Sequence, residues 1–242
     1  MFENFNIDKK TLLIIVAIML AFGVSRYLSN PNALLAILYS LPGILIAITF
    51  HEYAHAKVAD ILGDDTPRTE GRLTLNPLDH IDPVGFIMLL FAGFGWGKPV
   101  HVNPRNYNRT MSMEKADAIV SIAGPVTNFI LAIILTIIYY LVYKFYTVPN
   151  TLVSVIIGIV NSAIAINIGL GVFNLIPLPP LDGSKVIKPF LPYNLKQWFE
   201  SNENLFYFIF VILWITGIAG IIISPVINAV YKGLFNLFGM MF

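Results

Sequence analysis

Two histidines and a glutamate stand together near the end of a long apolar segment, in the run His51-Glu52-Tyr53-Ala54-His55. Residues four apart lie on one face of an α-helix, so His51 and His55 can both point their imidazoles at one metal ion. Glu52 then lies where it can take a proton from a metal-activated water, as in zinc hydrolases. The spacing predicts a zinc site with His51 and His55 as ligands and Glu52 as the catalytic base.

The alternative is an ordinary helix that carries these three residues by chance. Ionisable side chains are expensive inside an apolar span unless they are paired or bound to a metal. The motif follows Ala47-Ile48-Thr49-Phe50 directly, which places it in or next to such a span. The apolar setting therefore favours a metal site.

Zinc hydrolases generally use three protein ligands and leave the fourth position to water. The chain has no cysteine, so the third ligand must be a histidine, an aspartate or a glutamate. A histidine six residues beyond His55 is excluded, because Ile61 occupies that position. The candidates that remain are Asp182, His80, His101, Glu70, Asp82 and Asp117.

Asp182 is the preferred third ligand because it follows a proline-broken continuation of an apolar span, Asn174-Leu175-Ile176-Pro177-Leu178-Pro179-Pro180-Leu181. A broken helix can bring a carboxylate to membrane depth while its free carbonyls line a cavity. Asp182 could instead only cap a helix that begins at Gly183. The two roles are compatible, and the cost of a buried carboxylate favours metal binding. His80 and His101 are expected to be loop residues rather than catalytic ones, because exposed histidine is common in interfacial loops. His80 could instead support a metal ligand or transfer a proton.

The composition indicates the class of protein in which these residues lie. Of 242 residues, 57% are hydrophobic and 12% are charged, about half the charged share of soluble domains. The mean hydropathy is +0.74. These values indicate a polytopic membrane protein. The net charge of +1 offers no electrostatic footprint for nucleic acid, so no nucleic-acid partner is expected.

A helix needs about 20 mostly apolar residues to cross the hydrocarbon core. Runs of that order predict an all-α polytopic membrane protein with about six transmembrane helices, at 11–28, 33–59, 116–143, 151–175, 204–223 and 226–242. Ser224-Pro225 separates the last two runs, because proline breaks or kinks a helix. One bent helix there would leave five spans.

The apolar stretch 86–97 is too short to span, and its glycines at 93, 95 and 97 argue against a helix. We expect a short re-entrant loop or β-hairpin here, between spans two and three. Its edge, from Gly93 to Val100, would offer hydrogen bonds to an extended peptide. A plain interfacial hairpin anchored by Trp96 is an equal alternative.

Lysine and arginine predict the orientation, because cytoplasmic loops carry an excess of both. Ten of these residues lie on one side of the predicted spans: Lys57, Arg68, Arg72, Lys98, Arg105, Arg109, Lys115, Lys185, Lys188 and Lys196. Only Arg26 and Lys144 lie in the loops of the other side, whereas Lys9 and Lys10 precede the first span. We expect a multi-pass protein of a prokaryotic cell membrane, with its amino terminus and active site towards the cytoplasm.

Taken together, these residues resemble the site-2 protease family of intramembrane zinc metalloproteases. Asn174 to Gly183 reads as that family's Asn-x-x-Pro-x-Pro-x-Leu-Asp-Gly motif, and Ser121-Ile122-Ala123-Gly124-Pro125-Val126-Thr127-Asn128 looks like its glycine-rich signature. Gly71-Arg72-Leu73-Thr74-Leu75-Asn76-Pro77 and His80-Ile81-Asp82-Pro83 are similar to short prokaryotic members. The resemblance implies a single transmembrane peptidase domain over 1–242, with a core at 33–190 and peripheral spans at 11–28 and 204–242.

The resemblance also implies roles for individual residues. Asp182 would be the third ligand of one zinc ion per chain, and Asn174 would hold the substrate carbonyl or its oxyanion. Asn174 could instead satisfy carbonyls that Pro177 leaves free. Asn128 would either line the active site or form interhelical hydrogen bonds, and Gly124 would allow close helix packing.

The implied function is regulated intramembrane proteolysis of single-span membrane proteins in the lipid bilayer, by a short member without a PDZ or CBS domain. The oligomeric state stays open. The competing hypothesis is a membrane metal transporter or metal sensor that uses the same ligands without hydrolysis. An inactive adaptor is disfavoured, because Glu52 is not needed to retain a metal.

Overall fold

The computed structural model describes residues 27–92, 95–145 and 150–241, with isolated helical positions at 17, 21 and 24–25. From Pro31 onward the described residues form α1 (Pro31–Ile61), α2 (Thr66–Thr69), α3 (Pro77–His80), α4 (Pro83–Ala92), α5 (Met113–Phe145), α6 (Thr151–Asn174), α7 (Asp182–Ile187), α8 (Tyr193–Ser201), α9 (Glu203–Ile215) and α10 (Ile218–Gly239). Two 3-10 turns lie at Pro104–Asn106 and Lys188–Phe190. Within these ranges there is no strand, only an isolated antiparallel bridge between Ile81 and Gly97.

Four of these helices, α1, α5, α6 and α10, are long and apolar enough to cross a membrane. The predicted all-helical architecture is therefore confirmed, and four helices suit a polytopic membrane protein, whereas the count of six spans is not confirmed. The predicted span 11–28 lies largely outside the described residues.

The predicted boundary between the last two spans is wrong. The chain breaks at Gly217, which has a φ of 74°, and not at Ser224-Pro225. Glycine adopts this left-handed conformation without the steric cost that a Cβ would add. Pro225 lies inside α10, where the Ser224 hydroxyl donates to the carbonyl of Gly220. The 13-residue helix α9 is consequently too short to span alone.

The stretch predicted to be non-helical begins with a helix. Residues Pro83–Ala92 form α4, and the three glycines that argued against a helix, at 93, 95 and 97, all follow Ala92 in the sequence. Residues 93 and 94 are outside the described residues, and the hairpin itself is not confirmed. The described segment 95–97 packs closely on α4, since a Cβ on Gly95 would lie 2.1 Å from the carbonyl oxygen of Gly85.

Helices α1, α5 and α6 pack into the core that carries the site. Small residues allow close approach, because a Cβ on Gly43 of α1 would lie 2.6 Å from the Cα of Ala163 on α6. The short link between α5 and α6 makes them antiparallel neighbours. The last turns of α1, the first half of α5 and the end of α6 therefore meet at one end of the core.

Candidate metal centre

His51 and His55 lie one turn apart on α1 with their ring nitrogens turned towards each other. Only 5% of His51 and 8% of His55 is exposed, and their Nε2 atoms are 3.0 Å apart. The Nδ1 of His55 lies 2.7 Å from the carbonyl oxygen of Val120, and the Nδ1 of His51 lies 2.7 Å from Oδ1 of Asn128. Because a carbonyl oxygen only accepts, each Nδ1 carries a hydrogen, and in the neutral imidazole that a metal ligand requires, each Nε2 then presents a lone pair.

Asp182 reaches the same point from the turn after α6. The turn folds tightly between Asn174 and α7, and a Cβ on Gly183 would lie 2.3 Å from the carbonyl oxygen of Leu175. Helix α7 begins at Asp182 itself, with Leu181 rather than Asp182 in the capping position. Asp182 Oδ2 lies 3.1 Å from His51 Nε2 and 3.3 Å from His55 Nε2.

The three side chains fit a zinc ion. Ligand atoms at the usual zinc distances must lie about 3.3 Å apart in a tetrahedral site, and the separations here are 3.0, 3.1 and 3.3 Å. All three atoms are hydrogen-bond acceptors, and Asp182 Oδ2 is buried without a hydrogen-bond donor. Acceptors this close repel one another unless a cation lies between them, and two imidazoles with a carboxylate are a donor set that zinc prefers.

Gly124 forms the floor of this cluster. A Cβ at this position of α5 would lie 2.5 Å from Nε2 of His55 and 2.7 Å from Nε2 of His51. The sequence predicted a packing role for Gly124, and the structure shows what it packs against. Its missing side chain leaves the space beside the metal-facing nitrogens open.

Glu52 contacts the segment that follows α4. Its Oε2 accepts a hydrogen bond from the backbone N–H of Val100 over 2.9 Å. Two residues earlier in the same segment, the N–H of Lys98 donates to the carbonyl of His80 over 2.8 Å. The segment 95–100 is thus held between the end of α3 and the candidate base.

The other sequence candidates lie outside this cluster. In the described part of the chain, His51, His55 and Asp182 are the three residues whose ligand atoms converge. His101 pairs with Glu70 at 3.2 Å, and Asp82 accepts the N–H of Gly85 at 2.7 Å. His80 is fully buried and bonds the carbonyl of Thr74 at 2.8 Å, so the expected exposure of His80 is wrong.

The two asparagines assigned to the active site by resemblance differ in their contacts. The side-chain amide of Asn174 donates to the carbonyl of Leu170 one turn earlier, over 3.1 Å, and contact with substrate stays a prediction. Asn128 is fully buried and forms interhelical hydrogen bonds, one of them to His51. Sequence reasoning missed Asn167, which bonds Asn128, although an amide in the apolar span α6 was a visible signal.

An apolar cavity of about 140 Å³ lies between helices of the core, and its lining does not include the three residues of the cluster. Its walls come from α1, α4, the segment 95–96 and α6, and they include Ile48, Trp96 and Leu170. Ile48 lies one turn before Glu52 on α1, and Leu170 lies one turn before Asn174 on α6. The cavity is therefore next to the elements that carry the candidate catalytic residues.

Comparison with known proteins identifies the family. A model of peptidase family M50 matches residues 142–217, which include Asp182. YwhC of Bacillus subtilis, provisionally named a zinc metalloprotease, is 36% identical over 220 residues, which are 90% of this chain and 98% of YwhC.

Two further relatives carry the same provisional name. MJ0611 of Methanocaldococcus jannaschii is 33% identical over 172 residues, 70% of this chain and 81% of its own length. Rip2 of Mycolicibacterium smegmatis is 31% identical over 180 residues, 73% of this chain and 66% of its own. No solved structure matches the chain. The chain belongs to peptidase family M50, the site-2 protease family of zinc metalloproteases.

Proposed function

We propose that the protein is an intramembrane zinc metalloprotease that hydrolyses peptide bonds in or near the transmembrane segments of single-span membrane proteins. The observation that carries the proposal is the convergence of His51, His55 and Asp182 within 3.3 Å of one another. The motif that supplies the two histidines also supplies Glu52, a residue that metal retention alone does not need.

His51, His55 and Asp182 would hold one zinc ion per chain. When bound, zinc polarises a carbonyl and lowers the pKa of a water to about 7, so that a nucleophile exists at neutral pH. Gly124 keeps the space beside the two imidazoles free of a side chain. The Asp182 side chain is 20% exposed, whereas those of His51 and His55 are 7% and 10% exposed, so the open side of the cluster is the side of Asp182.

Glu52 is the general base and acid of the proposed reaction. It lies three residues before His55, which places both side chains on neighbouring positions of one helix face. The bond from Val100 engages Oε2 of Glu52 and orients the carboxylate. The other oxygen can take a proton from water and return it to the leaving amine, a transfer worth about a hundredfold to ten-thousandfold in rate.

The depth and lining of the site favour a membrane-embedded substrate. His51 lies ten residues before the end of α1, or about 15 Å along the helix axis. A peptide cut there belongs to a transmembrane segment or its margin. The apolar cavity between α1 and α6 would take one of its aliphatic or aromatic side chains, because a cavity of about 150 Å³ holds a benzene ring.

A transmembrane helix must unwind locally before its carbonyls can react. The segment 95–100, which ends at the contact with Glu52, is our candidate for the edge that receives the extended peptide. Physiologically, such cleavage would constitute regulated intramembrane proteolysis of a single-span substrate in the lipid bilayer.

The test compares purified wild type with Glu52→Gln. Zinc content is measured in both, and cleavage is assayed on membrane helices reconstituted in liposomes. Equal zinc with cleavage reduced at least about a hundredfold supports the protease. Equal cleavage by the two proteins contradicts it, and a metal transporter or sensor then becomes the better hypothesis.

The orientation is part of the same proposal. We infer a multi-pass protein of a prokaryotic cell membrane with a cytoplasmic amino terminus and the metal centre towards the cytoplasm. Because the chain has no cysteine, single cysteines can report each side of the membrane. Lys144→Cys, at the end of α5, should react with a membrane-impermeant maleimide on intact cells, and Lys115→Cys should react only after lysis. The reverse pattern would overturn the orientation.

A further inference from the structure

Two buried asparagines on different spans are joined to the metal-facing histidine by consecutive hydrogen bonds. Asn167 of α6 accepts at Oδ1 from Nδ2 of Asn128 on α5, over 3.0 Å. Oδ1 of Asn128 lies 2.7 Å from Nδ1 of His51 on α1. Both asparagines have no exposed surface. The chain of contacts thus links all three core helices to one ring.

Two backbone carbonyls determine the direction of these bonds. Nδ2 of Asn167 donates to the carbonyl of Ala163 over 2.9 Å, so its Oδ1 must face Asn128. Nδ2 of Asn128 also donates to the carbonyl of Ala47 over 3.1 Å, so its Oδ1 must face His51. Carbonyl oxygens cannot donate, and a flipped amide would place two acceptors or two donors against each other. His51 therefore carries its N–H at Nδ1, and in the neutral ring its lone pair is at Nε2.

That lone pair is the one required of a metal ligand. A ligating histidine generally donates its other ring N–H to a fixed acceptor, which sets the tautomer and the orientation of the ring. His55 meets this need through the carbonyl of Val120. His51 donates instead to the side chain of Asn128, which is free to rotate about its own bonds. The hydrogen bonds of the Asn128 amide to Asn167 and to the carbonyl of Ala47 hold it in place.

We propose that Asn167 is a positioning residue of the metal centre, which acts through Asn128 on the tautomer and orientation of His51. The proposal rests on the metal site of the proposed function but not on proteolysis. The hydrogen bonds of Asn167 go to Asn128 and to the carbonyl of Ala163, so its influence on His51 passes through the amide of Asn128. A merely structural asparagine would stabilise helix packing without changing the affinity for zinc.

Zinc affinity of the purified full chain, measured by competition with a chromogenic chelator, tests the proposal. We expect Asn167→Leu to weaken zinc binding about 10- to 100-fold, as loss of such a partner usually does. Asn167→Asp, held neutral by burial, can still accept from Asn128 and donate to Ala163, and should restore most of the affinity. The cobalt-substituted protein should show an altered visible spectrum in Asn167→Leu and a near wild-type spectrum in Asn167→Asp.

The matched control lies on the same helix. Asn161 accepts a hydrogen bond from the Tyr231 hydroxyl of α10, so Asn161→Leu also removes an interhelical amide contact, but away from the metal ligands. We expect Asn161→Leu to lower thermal stability and leave zinc affinity unchanged. Wild-type zinc affinity in Asn167→Leu, or an equal loss in Asn161→Leu, would overturn the proposal. Failure of the Glu52→Gln test would not affect this result, because zinc binding is measured without cleavage.

Discussion

The backbone N–H of Val100 donates to Oε2 of Glu52 over 2.9 Å. The contact joins the segment after α4 to the candidate catalytic base on α1, although 48 residues separate them in sequence. The same segment is attached to α3 through Lys98 and His80. The orientation of Glu52 therefore depends on the position of this segment.

Val100→Pro should impair catalysis without loss of zinc. Proline has no N–H, so the substitution removes the donor to Glu52. A hydrogen bond to a charged group contributes about 1.5–3 kcal/mol, so we expect cleavage to fall at least about tenfold. The rate of cleavage of a reconstituted helix and the zinc content per chain are the measurements.

Val100→Ala is the matched control, because it shortens the side chain and keeps the N–H. Its cleavage rate should stay close to that of wild type. If Val100→Pro and Val100→Ala cleave equally well, the hydrogen bond to Glu52 does not contribute to catalysis.

Gly124→Ala should abolish zinc binding. The added Cβ would lie 2.5 Å from Nε2 of His55 and 2.7 Å from Nε2 of His51, inside the space that a metal ion needs. Gly169→Ala on α6 is the control, since its Cβ would meet only Cδ1 of Ile227 at 3.8 Å. Zinc content by atomic absorption and thermal unfolding in detergent separate loss of metal from loss of fold. A fully zinc-loaded Gly124→Ala protein would show that the ligands do not converge at this point.

The ligand cluster could be predicted because its signals are local. His51 and His55 share a helix face at a fixed spacing, and Asp182 follows three prolines within four residues, which a continuous helix does not accommodate. The contacts of Asn128 and Asn167 could not be predicted in the same way. Both α5 and α6 are apolar almost all round, so their sequence does not show which side faces the core. Their rotation is decided by packing against α1.

The carboxyl-terminal helices show the limit of local rules. Pro225 was expected to divide two spans, yet it lies inside α10, and Gly217 divides α9 from α10 instead. A proline removes one backbone hydrogen bond, which a membrane helix tolerates when other groups satisfy the freed carbonyl. A glycine with positive φ redirects the whole chain. Sequence alone does not reveal whether the helix breaks at Gly217 or at Pro225.

Filling the apolar cavity should change the substrate preference. Ile166 lines the cavity from α6, and Ile166→Phe would occupy part of its volume of about 140 Å³. We expect cleavage of helices with leucine or phenylalanine next to the scissile bond to fall about tenfold or more relative to alanine. Ala165→Phe, at the exposed neighbouring position, should leave the preference unchanged. An unchanged leucine-to-alanine ratio in Ile166→Phe would mean that substrate side chains do not enter the cavity.

Asp64 should make the loop after α1 sensitive to acid. It has no exposed surface and accepts bonds from Thr66, from the N–H of Asn103 at 2.6 Å and from the side chain of Asn106 at 3.0 Å. Burial alone would raise the pKa of Asp64, but these hydrogen bonds outweigh burial and hold its pKa below the usual range. A carboxyl whose pKa is lowered on folding stabilises the fold above its unfolded pKa of about 4. That contribution disappears as the pH falls through the lower, folded pKa.

Hydrogen exchange of residues 100–108, corrected for the intrinsic pH dependence of exchange, measures this effect. In wild type, protection should persist at pH 7 and decline below about pH 4. Asp64→Asn should exchange quickly already at neutral pH, because an amide nitrogen would face the N–H groups that the carboxylate accepts. Asp65→Asn, at the exposed adjacent position, should behave as wild type. Protection in wild type that stayed constant from pH 7 to pH 3 would show that Asp64 does not hold this loop, and the position of Val100 beside Glu52 would then have to depend on its contacts with α3 and α4.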